Sequence, residues 1–143
     1  MPTGAPATPT VVPALRYADA SAAIDWLGRA FGFEPHLVVP GDGDAILHAQ
    51  LTLGNGMIML GSARDDAFGQ AQKTPAETDG IVTQSAYLIV DDADRLYHRA
   101  RACGAAIVQD IADQSYGGRA FTCRDPEGHL WTLGTYDPWN EPA

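Results

Sequence analysis

A chain of 143 residues suffices for one domain, or for two small halves sharing a core, that buries roughly two thirds of its unfolded surface without a metal or disulfide staple. With 45% hydrophobic and 19% charged residues it has a globular balance that excludes disorder, and its apolar runs, such as Met57 to Leu60, fall far short of the roughly 18 residues of a membrane span. The net charge of −9 is spread along the chain and leaves no basic face to displace counterions, which excludes nucleic acid as a main partner.

The opening stretch, 1–10, is rich in Pro, Ala and Thr and reads as a flexible leader. Residues 1–9 lack Lys and Arg and an apolar segment, so no signal peptide is expected. Two cysteines, Cys103 and Cys123, make no disulfide framework. A cytoplasmic protein follows as the default.

A strand is expected over 11–17, followed by a helix with Asp19 or Ser21 as its cap. Ile24, Leu27 and Phe31 recur at helical spacing, and Gly32 stops the helix. Strands over 34–39, 45–53 and 57–61 follow. A Pro-Gly-Asp-Gly-Asp turn separates the first two, and Asn55-Gly56 makes a hairpin of the second pair. Residues 62–83 are polar and lack periodicity, which reads as a linker or a mobile flap.

The pattern then returns. A strand over 85–90 leads to a helix capped by Asp92, striped by Leu96, Ala100 and Cys103, and stopped by Gly104. Strands over 106–109, 118–124 and 129–136 follow, the last two joined by an Asp125-Pro126-Glu127-Gly128 turn. Asp19 to Asp92 spans 73 residues, while Gly32 to Gly104 and Gly56 to Gly128 each span 72. The chain therefore repeats one β-α-β-β-β unit, with modules at 11–61 and 84–139.

These repeats resemble the vicinal oxygen chelate superfamily of glyoxalases, bleomycin-resistance proteins and dioxygenases. The motifs that carry the resemblance are Leu15 to Ala20, Ile89 to Asp94, Ala112 to Arg119 and Asp125 to Trp131. With Leu47 to Leu51 added, they look most like the PhnB-like branch. The resemblance implies an α+β fold: two βαβββ modules forming one domain, their curled mixed sheets around a cleft and their helices outside. It also implies a homodimer, with the cleft formed within one chain or between exchanged modules.

In metal-dependent members the first and last strands of each module supply the ligands to a divalent ion. Counted from the helix-opening aspartates and the turn glycines, those positions fall here on Val12, Leu60, Ser85 and Thr132. Gln84 stands beside Ser85, and Met59 replaces Leu60 if the register slips by one. Such side chains do not hold Zn²⁺, Ni²⁺ or Fe²⁺. No cofactor is therefore expected, and a metal enters only if the site is displaced.

His48, Gln50 and Thr52 alternate with Leu47, Ala49, Leu51 and Leu53, so the polar three share one strand face. His48 is the candidate catalytic residue, of a type suited to proton transfer at neutral pH; it equally suits a structural hydrogen bond. Arg119 could clamp an anionic group or pair with Asp113 or Asp125. Tyr87 is either a wall of the cleft or core. Thr132 should line the cleft, with Trp131 and Leu133 turned into the core. The candidate ligand-binding set is thus His48, Gln50, Tyr87, Arg119, Phe121 and Thr132. Met57 and Met59 read as core, Trp26 as core or dimer contact, and Trp139 as a lid over an apolar edge. His129 reads as structural, and Cys123 shares a face with Arg119 and Phe121.

Two functions lead, ahead of a dimeric accessory module with no small ligand. The first is a metal-free protein binding a small, partly aromatic, antibiotic-like molecule in the cleft. The second is a lyase, isomerase or dioxygenase of the same superfamily, acting through a displaced metal or through His48.

Overall fold

The computed structural model describes residues 8–140. The chain divides into two compact units, one ending at Thr74 and the other beginning at Pro75. In the first, β1 (Ala14–Tyr17) leads to α1 (Ala20–Phe31), then β2 (Glu34–Pro40), β3 (Ile46–Leu53), β4 (Gly56–Ser62) and the short α2 (Ala67–Ala71). Its strands lie in the order β1-β4-β3-β2. β1 pairs with β4 in parallel and the other pairs are antiparallel. A parallel pair needs a crossover, and α1 with the β2–β3 hairpin supplies it.

The second unit repeats this plan. After a 3₁₀ turn at Pro75–Thr78 come β5 (Ala86–Ile89), α3 (Ala93–Ala102), β6 (Ala106–Asp113), β7 (Arg119–Arg124) and β8 (Leu130–Gly134), with a further 3₁₀ turn at Pro138–Asn140. The order is β5-β8-β7-β6, again with one parallel pair. This is the α+β fold of two βαβββ modules with mixed, unclosed sheets that the family resemblance implies. Among the described residues, no helix is long and apolar enough to cross a membrane.

The helices start and stop where local chemistry says. Asp19 Oδ1 accepts from the Ala22 N–H at 3.0 Å, and Asp92 Oδ1 from the Arg95 N–H at 3.1 Å. Gly32 (φ 93°) and Gly104 (φ 91°) turn left-handed just beyond the helix ends. α1 buries Ala20, Ala23, Trp26, Leu27, Ala30 and Phe31, and Trp26 meets Phe31 edge-on with centroids 5.2 Å apart. Ile24 is only half-buried. Trp26 is thereby core. In α3 the buried stripe is Ala93, Leu96, Tyr97 and Ala100, with Cys103 half-buried.

Some boundaries differ from the expected ones. β6 continues to Asp113, because irregularities on either side of Gln109 break its alternation without ending its pairing. The 62–83 stretch holds α2, capped by Asp66 Oδ1 accepting from the Gly69 N–H at 2.7 Å. A Cβ on Gly69 would stand 1.9 Å from the Arg64 carbonyl oxygen, so α2 seats tightly on its own approach. Trp139 is 87% exposed, and the lid role expected of it finds no support.

The β7–β8 turn is organised by one buried carboxylate. Asp125 Oδ1 accepts from the Glu127 and His129 N–H groups, at 3.1 and 3.0 Å. Its Oδ2 accepts from the Trp131 indole N–H at 3.1 Å, and both residues are buried. Asp125→Ala strands three donors, one of them in the core. We expect a loss of about 2 kcal/mol or more, read as a lower urea midpoint at unchanged m-value; an unchanged midpoint contradicts the assignment.

Candidate functional site

Strand alternation gives each sheet a face against its helix and a face turned away from it. In the first unit, Ala49, Leu51, Ile58 and Leu60 are buried, on the side where α1 packs against β1, β3 and β4. His48, Gln50 and Thr52 take the opposite side, joined there by Met57 and Met59 through the pairs Thr52–Met57 and Gln50–Met59. Met57 and Met59, expected in the core, are instead half-buried on this open face. Gln50 links the group: its Oε1 lies 3.0 Å from His48 Nε2, and its Nε2 donates to Met57 Sδ at 3.9 Å.

Arg16 stands on the same open face beside Gly61, yet it is only 5% exposed. Its Nη1 donates to the Ser62 carbonyl at 3.1 Å, its Nη2 lies 3.5 Å from Asp66 Oδ1, and the Phe68 ring covers it at 4.7 Å. The Gly69 N–H above all, with Arg64 and Arg16, holds the Asp66 carboxyl below the usual carboxylate range. The guanidinium thus anchors α2.

In the second unit the open face carries a polar row that crosses all four strands. Tyr87 pairs with Thr132, Thr132 with Thr122, and Thr122 with Gln109. Thr122 Oγ1 and Thr132 Oγ1 are 2.8 Å apart, and Thr122 Oγ1 donates to Gln109 Oε1 at 3.3 Å. The Tyr87 hydroxyl donates to the Tyr136 carbonyl at 2.7 Å. Burial above all, then Tyr116, raises its pKa above the ordinary phenol value. Gly134 makes room for that phenol: a Cβ there would lie 2.5 Å from the hydroxyl oxygen.

Arg119 and Phe121, expected among the ligand-binding residues, lie on the other face. Phe121 is 1% exposed and meets the Tyr97 ring of α3 edge-on at 5.3 Å. Arg119 forks onto Asp94 at the start of α3, with Nε–Oδ2 at 3.0 Å and Nη2–Oδ1 at 3.1 Å, and its Nη1 reaches Asp113 at 3.0 Å. Hydrogen bonds from Arg119 hold Asp94 below the usual carboxylate range. Of the two sequence-level partners, Asp113 pairs with Arg119, while Asp125 is engaged with Trp131. Gln109 and Thr122 are the open-face residues the sequence reading missed. Thr122 could have been read from its place opposite Thr132 across the hairpin; Gln109 is hidden by the irregular alternation of β6.

A model of the Glyoxalase/Bleomycin resistance protein/Dioxygenase superfamily matches residues 10–133. The chain belongs to that superfamily. An uncharacterised protein of Mycobacterium bovis is 33% identical over 126 residues, covering 88% of this chain and 82% of its own. TioX from Micromonospora sp. ML1 has a crystal structure of TM-score 0.68 and 34% identity, over 88% of this chain and 94% of that one. Lactoylglutathione lyase from Agrobacterium tumefaciens, at 24% identity and TM-score 0.59 over 88% and 93%, shares the fold.

Metal-dependent members of the superfamily make the donor positions worth testing. In the second unit Thr132 lies on the open face of β8, as counted. In the first, Leu60 is 3% exposed on the α1 side; Met59, which pairs with Ala14 and Gln50, takes the open-face place. A thioether and a hydroxyl, with Val12 and Ser85 ahead of the first strands, do not fit a Zn²⁺, Ni²⁺ or Fe²⁺ site.

The cysteines differ in environment. Cys123 is fully buried on the α3 side, where burial first and the Asp125 carboxylate second push its thiol up to about 12. At pH 8 it stays protonated and unreactive. Ellman's reagent should therefore titrate one thiol per native chain, Cys103, and a second only in denaturant. Two prompt thiols contradict this placement.

Proposed function

We propose that this protein binds a small, uncharged, partly aromatic and antibiotic-like molecule on the open faces of its sheets, without a metal ion. The carrying observation is the replacement of metal-type donors by Met59 and Thr132 among neutral hydrogen-bonding side chains. His48 and Gln50 flank the first, and Tyr87 and Thr122 the second. Thioethers adapt to varied apolar shapes, while the imidazole, amide and hydroxyls fix orientation; this is the usual composition of a small-molecule site. We also assign the chain to the PhnB-like branch on the motifs at 112–119 and 125–131.

The test is a thermal-shift survey of neutral aromatic compounds, followed by NMR of the methionine methyls. Binders should raise Tm and move the Met57 and Met59 methyl signals. His48→Ala or Gln50→Ala should weaken binding about tenfold, as loss of a hydrogen bond predicts, with an unchanged circular dichroism spectrum. The reading fails if no compound moves those methyls.

One observation favours a second reading, an enzyme of the superfamily acting through His48. Gln50 Oε1 can only accept, so His48 Nε2 donates to it. A neutral ring then presents Nδ1 as a base, held in place by the amide. If a substrate is found and His48→Ala turns it over unchanged, that role is removed.

A further inference from the structure

The hydroxyl row of the second unit has a direction. Thr122 has a single hydroxyl proton, and it goes to Gln109 Oε1. In the close contact between the two threonines, Thr132 must therefore be the donor and Thr122 the acceptor. Two consequences follow at the ends of the chain of bonds. Thr132 Oγ1, its proton committed, offers only lone pairs. Gln109, its oxygen committed, offers the two N–H donors of its amide, and Nε2 makes no hydrogen bond among the described residues. Tyr87 flanks the row on the neighbouring strand with an aromatic ring, and its hydroxyl proton is committed to the Tyr136 carbonyl.

We propose that this row is a specificity subsite that reads uncharged planar ligands carrying a carbonyl at one edge and an N–H or O–H donor at the other. The Gln109 amide receives the carbonyl and Thr132 Oγ1 receives the donor. β6 and β8 are separated by β7, but the bonds through Thr122, of 2.8 and 3.3 Å, draw the two anchors together to at most about 8 Å. That span suits a bicyclic ring with substituents at opposite ends. Charged ligands are disfavoured because nothing in the row carries a compensating charge. The inference rests on the open faces being ligand-binding surfaces and adds the class of ligand that this one selects.

The experiment uses three probes on the full chain: 6-hydroxy-2-naphthamide, 2-naphthamide and 2-naphthol. Affinities come from calorimetry, and location from the Thr122 and Thr132 methyl signals. The bifunctional probe should bind about tenfold tighter than either of the others, the worth of one added hydrogen bond. Thr132→Val, which keeps the shape and removes the hydroxyl, should abolish the advantage over 2-naphthamide and leave 2-naphthamide itself unaffected. Thr132→Ser should restore it. Gln109→Glu, which keeps the acceptor for Thr122 and removes the donors, should abolish the advantage over 2-naphthol. Equal affinity for all three probes, or equal losses across the panel in both variants, overturns the subsite while leaving ligand binding on the open faces intact. If no probe binds and no methyl moves, the subsite is overturned, and a blank result in the wider survey as well removes the binding function with it.

Discussion

Each sheet of this chain contains a parallel pair, β1 with β4 and β5 with β8, and the crossover helix that such a pair demands covers one face only. Everything chemical in the molecule follows from that asymmetry. The covered faces take the large apolar side chains: Leu51, Leu60 and Tyr17 in one unit, Trp131, Leu133, Phe121 and Cys123 in the other. Strand alternation then obliges the intervening residues to point the other way. Those residues include His48, Gln50, Met57 and Met59 in one unit and Tyr87, Thr122 and Thr132 in the other, beside the apolar Leu37, Val39 and Leu130, with Arg16 beneath α2 and Arg124 as the arginines. Arg124 donates to the Gly80 and Gly128 carbonyls, at 3.0 and 2.8 Å, and so secures the turns around it.

The distribution of charge reinforces the division of labour. The acids and bases that pair do so away from the hydroxyl row: Arg119 with Asp94 and Asp113, Arg29 with Asp25, Arg64 with Asp66. Pairs as exposed as these contribute little to stability. Asp125, by contrast, is buried with its hydrogen bonds made, which is the condition under which a carboxylate can sit in a core. The net charge of −9 thus colours the surface, while the Tyr87–Thr132–Thr122–Gln109 row is built of uncharged groups.

What could be read from the sequence was what local chemistry decides. The Asp19 and Asp92 caps and the Asn55-Gly56 and Asp125–Gly128 turns announce themselves within a few residues, and with the repeat they give the βαβββ unit, to which the family resemblance adds the sheet architecture. Relative facing was legible too, since His48, Gln50 and Thr52 alternate visibly. Absolute facing was not. Alternation puts Arg119, Phe121 and Cys123 together without saying which side α3 covers; in the structure that side faces α3, where Arg119 meets Asp94 and Phe121 meets Tyr97. Across the Asn55-Gly56 hairpin the count leaves Leu60 and Met59 as alternatives, and in a strand that one-residue step reverses the face. α2 escaped notice because its cap and its cover, Asp66 and Phe68, gain meaning only against Arg16, some fifty residues earlier. Gln109 was lost at the irregular alternation that makes β6 look finished.

We propose that hydrogen bonding from uncharged side chains serves on this superfamily scaffold in place of a metal ion. Native mass spectrometry on protein purified without chelators or an affinity metal column tests it most directly. The expected result is chains free of divalent ions, with any additional mass belonging to an organic molecule. About one tightly held divalent ion per chain, lost on chelation together with binding or turnover, would contradict it.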